Sequence, residues 1–148
     1  MSRTYSALHY HLVFGTKNRE PLITPAIQPR LHEYLGGTIA GLGGVSQGVG
    51  GVSDHVHLLI GLRPVYCLAD VVRELKKASN TWMRETSSER NFAWQEGYAV
   101  FTVSASARGL VRKYIANQPA HHAKTTFHTE MIGMLKRADI DYDEAYVC

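Results

Sequence analysis

Long hydrophobic runs, cysteines and low-complexity tracts are scarce in this 148-residue chain, and each scarcity excludes a class of protein. No stretch approaches the roughly 18 apolar residues that a membrane helix needs. Met1 to Asn18 also lacks the basic, apolar and small-residue order of a secretory signal. The chain is therefore expected to be cytoplasmic, with no membrane partner. Cys67 and Cys148 are the only two cysteines, too few and too far apart for a disulfide framework or a metal knuckle. Both are expected to be reduced. Eight glycines crowd the stretch from Gly36 to Gly51, but the Gly-Lys-Ser/Thr ending and the following helix of a phosphate-binding P-loop are missing. The glycines read instead as places where the backbone turns or passes close to a neighbour.

What is present suits one globular domain over residues 1–148, with 45% hydrophobic residues and an acidic tail from about residue 139. The net charge of +3 is mild but unevenly spread. Residues 61–118 hold nine Lys and Arg against five Asp and Glu, whereas residues 119–148 hold three against five. A basic stretch can neutralise phosphates and release their counterions, the general source of nucleic-acid affinity. A merely solvated surface would have the same composition.

Residues 5–14, YSALHYHLVF, are dense in aromatic and β-favouring types and read as a first strand. Ile27, Leu31, Leu35 and Ile39 recur at intervals of four, as on one face of a helix. The glycine-rich segment up to Leu62 predicts a hairpin of two strands. Leu68, Val71, Val72, Leu75, Ser79 and Trp82 then line one face of a second helix, opposite Arg73, Lys76, Lys77, Asn80 and Arg84. GYAVFTVSAS reads as a fourth strand, and residues 107–118 as a third helix that Pro119 ends. The order strand, helix, strand, strand, helix, strand, helix predicts an α+β, ferredoxin-like split βαβ fold. Its antiparallel four-stranded sheet would carry helices on one face, plus a C-terminal helix.

Two pairs of residues could carry chemistry. His55 and His57 flank Val56 in the predicted third strand, so both side chains emerge on one face, with Cα atoms roughly 7 Å apart. They could converge on one metal ion or be ordinary surface histidines. Tyr114 and Gln118 stand four apart on the predicted third helix and share a face. They could also be a core aromatic and a residue that merely precedes a proline.

Five segments in order resemble a known family: YHLVF with TKNR, the His-hydrophobic-His (HUH) motif in DHVHLLI, WQEGYAVFTVS, VRKYIANQ, and HH-K-TF beyond it. The chain is similar, from about Tyr5 to Tyr146, to the single-tyrosine HUH transposases of small insertion sequences and their REP-associated relatives. The resemblance implies that Tyr114 is the nucleophile of a helix-borne site and that His55, His57 and Gln118 hold a divalent ion. It implies Mg²⁺ or Mn²⁺, although imidazoles alone would equally suit zinc or copper. It also implies cutting and rejoining of single-stranded DNA at imperfect palindromes through a 5′-phosphotyrosine. A homodimer is implied too, whose active sites can be completed in trans; the run from Pro119 to Lys124 could then act as the hinge. A free phenol has a pKa of about 10, so Tyr114 needs activation, and no general base is evident in the sequence.

Other residues are less distinctive. Lys17 and Arg19 on the first loop, and Lys76, Lys77, Arg112 and Lys113 on exposed helix faces, are candidates for phosphate contact or plain solubility. Asp54 could orient the imidazole of His55 or serve the hairpin turn. His9 and His11 form a second spaced pair and are read as sheet residues facing DNA or the helix layer. His121 and His122 could touch substrate or simply flank a helix. The competing functional readings are a catalytically retired single-stranded nucleic-acid-binding module of the same fold and a replication-initiator or relaxase-like nuclease.

Overall fold

A computed structural model describes residues 3–147; Cys148 lies outside them, and Cys67 is a free, exposed thiol. Among the described residues the order is β1 (His9–Gly15), α1 (Gln28–Gly41), β2 (Val45–Val52), β3 (His55–Gly61), α2 (Leu68–Thr86), β4 (Ala99–Val103), α3 (Arg108–Ala116), α4 (Gln118–His122) and α5 (Phe127–Arg137). The strands form one antiparallel sheet in the order β2-β3-β1-β4, the α+β split βαβ plan expected. No helix among the described residues is long and apolar enough to cross a membrane.

Alternation along the two central strands divides the molecule into two layers. Leu12 and Phe14 of β1 and Val56, Leu58 and Ile60 of β3 face one way, where Leu31, Leu35 and Ile39 of α1 and Val72, Leu75 and Met83 of α2 cover them. Each such side chain is worth roughly 1.5–3 kcal/mol of burial. The opposite face carries Val13 against Phe127, Met131 and Met134 of α5, and Leu59 against Ile115 of α3. With both faces covered, every residue of β3 is buried. The alternation leaves His11, His55 and His57 on the second face, under α3, α4 and α5.

The elements differ in detail from the expectation. β1 begins at His9 rather than Tyr5, which is exposed. Gly97, at φ +79°, turns the chain before β4, and a 3-10 turn at Ala105–Ala107 follows that strand. Pro119 does not end the third helix. The helix stops at Ala116, Asn117 takes φ −94° and ψ 12°, and Pro119 sits in the first turn of α4. A proline there costs nothing, because first-turn N–H groups have no helical partner. Trp82, expected on the buried face of α2, is half-buried and stacks on Tyr34 of α1 at 4.9 Å; Met83 occupies the core instead.

The glycine-rich strand β2 has a specific task. A Cβ on Gly50 would run into the Ile115 carbonyl, so only glycine lets α3 lie against the sheet here. A bulge between Ser46 and Gly48 anchors the same helix, because Arg112 Nε donates to the Gln47 carbonyl at 2.9 Å.

Candidate active site

Side chains from β3, α3 and α4 converge on a single carboxylate, Glu130 of α5, which is 5% exposed. Its Oε1 lies 3.0 Å from His57 Nε2, 3.1 Å from His122 Nε2 and 3.4 Å from His55 Nε2. Its Oε2 accepts from the Tyr114 hydroxyl and, at 2.9 Å, from Gln118 Nε2. Tyr114 and Gln118 thus share a target despite the helix break between them. Gln118 Oε1 also accepts from His55 Nε2 at 2.9 Å.

The far side of each imidazole is held as well. His55 Nδ1 donates to Asp54 Oδ1 at 2.7 Å, and its ring stacks on Phe127 at 3.9 Å. His122 Nδ1 donates to the Thr125 carbonyl at 2.9 Å. His57 Nδ1 faces His11 Nε2 at 2.8 Å. Because His57 Nε2 donates to Glu130 when no ion intervenes, its Nδ1 then accepts from His11. An ion on Nε2 demands the opposite tautomer, with Nδ1–H donating to His11. A neutral His11 serves either state.

The electrostatics support that reading. Burial, and then the neighbouring His57, push the His11 pKa down to about 3. Burial likewise lowers that of His57, against the pull of Glu130. Burial opposes charging His55, but Asp54, Glu130 and Gln118 outweigh it and raise its pKa to about 9. Burial also opposes ionisation of Glu130, yet hydrogen bonds from His55 and His57 hold its carboxyl far below the usual carboxylate range. Burial and Glu130 together push the Tyr114 phenol above its ordinary value.

This donor set fits a divalent cation. One ligand atom each from His55, His57, His122 and Glu130 lie within 4.8 Å of one another. Each of these imidazoles turns Nε2 inward while a partner occupies Nδ1, the arrangement that fixes metal-binding histidines. Adding carboxylate and amide oxygens to imidazoles moves the preference toward harder ions such as Mn²⁺ and Mg²⁺.

The remaining candidates are scattered. Arg19 is exposed and lines a cleft of about 660 Å³ with Asn18, Asp54, His122 and Thr126. Lys17, which with Arg19 forms the 3-10 turn Lys17–Arg19 after β1, is exposed. Arg112 and Lys113 are exposed on α3, on the site's side of the sheet. Lys77 is exposed on α2, across the sheet from the histidines. Lys76 does not stand on an exposed face as expected. It is half-buried and donates to the Gln95 and Gly97 carbonyls, both at 2.6 Å, while its ammonium lies 5.6 Å from the Phe14 ring centre. Burial lowers its pKa. His9 stays outside the cluster, where its Nδ1 accepts from Gln47 Nε2 at 3.2 Å.

Glu130 was not singled out from the sequence, although a signal was there: a lone carboxylate on the stripe of Phe127, Met131 and Met134. The packing also gives His11 and His122 their partners and decides for Asp54 between its two readings, in favour of holding the His55 imidazole.

A four-stranded antiparallel sheet covered by helices is the fold that tyrosine transposase structures share. Residues 4–118 match the family described as "Transposase IS200 like", and the chain belongs to that family. It is 32% identical over 118 residues to the ISDra2 transposase TnpA of Deinococcus radiodurans, a match spanning 75% of this chain and 84% of that protein. A crystal structure of a Deinococcus radiodurans R1 protein assigned as a transposase superposes with a TM-score of 0.65 at 30% identity, covering 80% of this chain and 96% of that one. A REP-associated tyrosine transposase bound to a REP hairpin shares the fold, with a TM-score of 0.62 at 15% identity over 100% of this chain and 90% of that one. Within the single chain described here, Tyr114 reaches its own histidines, with ring centres 5.7 Å from His57.

Proposed function

We propose that this transposase cuts and rejoins single-stranded DNA at hairpin-forming element ends, with Tyr114 as nucleophile and a divalent ion, Mg²⁺ or Mn²⁺, held by His55, His57 and Gln118. The observation that carries the reading is the convergence of Tyr114, Gln118 and both β3 histidines on one buried carboxylate. The ion, when bound, would polarise the scissile phosphate and stabilise charge on the departing oxygen. Tyr114 Oη forms a bond to phosphorus as the bond to the 3′ oxygen breaks, leaving a 5′-phosphotyrosine and a 3′-hydroxyl. The proton lost by the phenol is balanced by the one the 3′ oxygen gains. One phosphodiester replaces another, so the step is nearly isoenergetic and reversible.

Arg19 and Lys17 on the first loop, and Arg112 and Lys113 on α3 on the site's side of the sheet, are the candidates for phosphate contact in this reading. The REP hairpin carried by the structural relative supports DNA with imperfect palindromes as substrate. A cytoplasmic homodimer belongs to the same reading, with the position of Tyr114 beside its own histidines favouring a site completed in cis. The test is a labelled hairpin-bearing strand incubated with protein and Mn²⁺, which should give a covalent adduct stable on denaturing gels. Undiminished adduct from Tyr114→Phe would sink the assignment of the nucleophile.

A further inference from the structure

Glu130 belongs to α5, beyond residue 118 where the family match ends, yet it touches more of the site than any other side chain described above. A purely structural role explains it poorly. Burying a carboxylate is costly unless it is paired, and the stripe of Phe127, Met131 and Met134 around it would pack equally well about a leucine. Its two oxygens also face different partners. Oε1 points at the imidazole Nε2 atoms of His57, His122 and His55 at 3.0, 3.1 and 3.4 Å. Oε2 takes the Tyr114 hydroxyl and the Gln118 amide, with His121 Nε2 3.3 Å away.

We propose that Glu130 is a positioning residue that ties the ion to the nucleophile: Oε1 joins His55 and His57 in the donor set while Oε2 holds the Tyr114 hydroxyl beside it. The inference rests on the reading above that the histidines hold a divalent ion. A carboxylate is planar and rigid, so whatever draws on one oxygen alters the other as an acceptor. Ion occupancy therefore changes the hydrogen bond that Tyr114 makes, and the presence of that hydrogen bond changes ion affinity. The two effects are reciprocal by thermodynamic linkage.

The test uses the full chain carrying ¹³Cζ-labelled tyrosine, with the Tyr114 resonance assigned by its loss in Tyr114→Phe. Adding Mg²⁺ should shift that resonance saturably. Mn²⁺ binding followed by equilibrium dialysis should weaken by about tenfold or more in Glu130→Gln, and the Tyr114 shift should vanish. Removing the phenol in Tyr114→Phe should tighten Mn²⁺ by about threefold, because Oε2 no longer shares its electrons with a donor. This last measurement stands even if Glu130 variants fail to fold. A Tyr114 resonance unmoved by Mg²⁺, together with unchanged Mn²⁺ affinity in Tyr114→Phe, overturns the proposal. So does wild-type affinity in folded Glu130→Gln when His55→Ala abolishes binding, an outcome that leaves the ion site itself standing. Absence of ion binding by the wild-type chain would bring down both.

Discussion

His11 and His57, on neighbouring strands, share a hydrogen bond of 2.8 Å between their ring nitrogens, and both are buried. The strand register explains the meeting. His11 pairs with Leu59 and Val13 with His57, so the two histidines sit diagonally on one face of the sheet. A neutral imidazole at position 11 can donate to His57 or accept from it, whichever tautomer His57 requires.

Replacing His11 by phenylalanine should therefore weaken Mn²⁺ binding by roughly 10- to 100-fold, the usual cost of losing a ligand's orienting partner. His11→Asn, which can still hydrogen-bond, should recover part of that loss. Equilibrium dialysis checks both, with circular dichroism confirming the fold. Equal affinity in the two variants would mean that position 11 only fills space.

Stability of the ion-free protein should peak near neutrality and fall on both sides. The His55 pKa rises from 6.5 to about 9 on folding, so its contribution is complete below 6.5 and is lost as pH climbs through 9. At about 1.4 kcal/mol per unit, the loss is on the order of 3 kcal/mol. His11 shifts the other way, to about 3, so stability is also lost as pH falls from 6.5 towards 3, and Glu130 adds to that acid side because its folded pKa is depressed. Urea midpoints measured in chelator across pH 4 to 10 (about six points) test this; His55→Gln should flatten the alkaline limb.

Lys76 and Arg19 should separate cleanly. Lys76→Met strands two carbonyls and should cost about 1–3 kcal/mol of stability without altering the salt dependence of DNA binding. Arg19→Ala should leave stability unchanged but lower the slope of log affinity against log salt by about one. Filter binding of a hairpin-bearing strand at several salt concentrations, beside urea melts, reads both.

Gly50→Ala should displace α3, because the added methyl meets the Ile115 carbonyl. Stability should drop by roughly 1–3 kcal/mol, and adduct formation should fall further than in Gly37→Ala, a helical position with open space around it. Equal adduct yields from the two variants would show that the approach of α3 to β2 does not set the nucleophile.

Much of the scaffold was legible from periodicity. The β-favouring run of residues 5–14, the glycine-rich hairpin up to Leu62, the four-residue spacing of Ile27 to Ile39 and the stripe from Leu68 to Leu75 placed the first three strands and the first two helices. Boundaries were less legible, since Gly97 and Asn117 stop elements through backbone angles that composition only hints at. In the site, the neighbours Val56 and Leu58 show that His55 and His57 share a face, but not which nitrogen each turns inward.

The chain order and residue types by themselves determined a split βαβ sheet, a histidine pair on one face and a tyrosine with a glutamine four residues on. Those are local facts, set by strand and helix periods. Only the tertiary structure decided that α5 returns across the sheet, that Glu130 enters the site from it, that His11 backs His57 and Asp54 backs His55, and that Lys76 is committed to carbonyls. Each of these joins residues far apart in sequence or chooses between two faces of one residue, which no local period encodes.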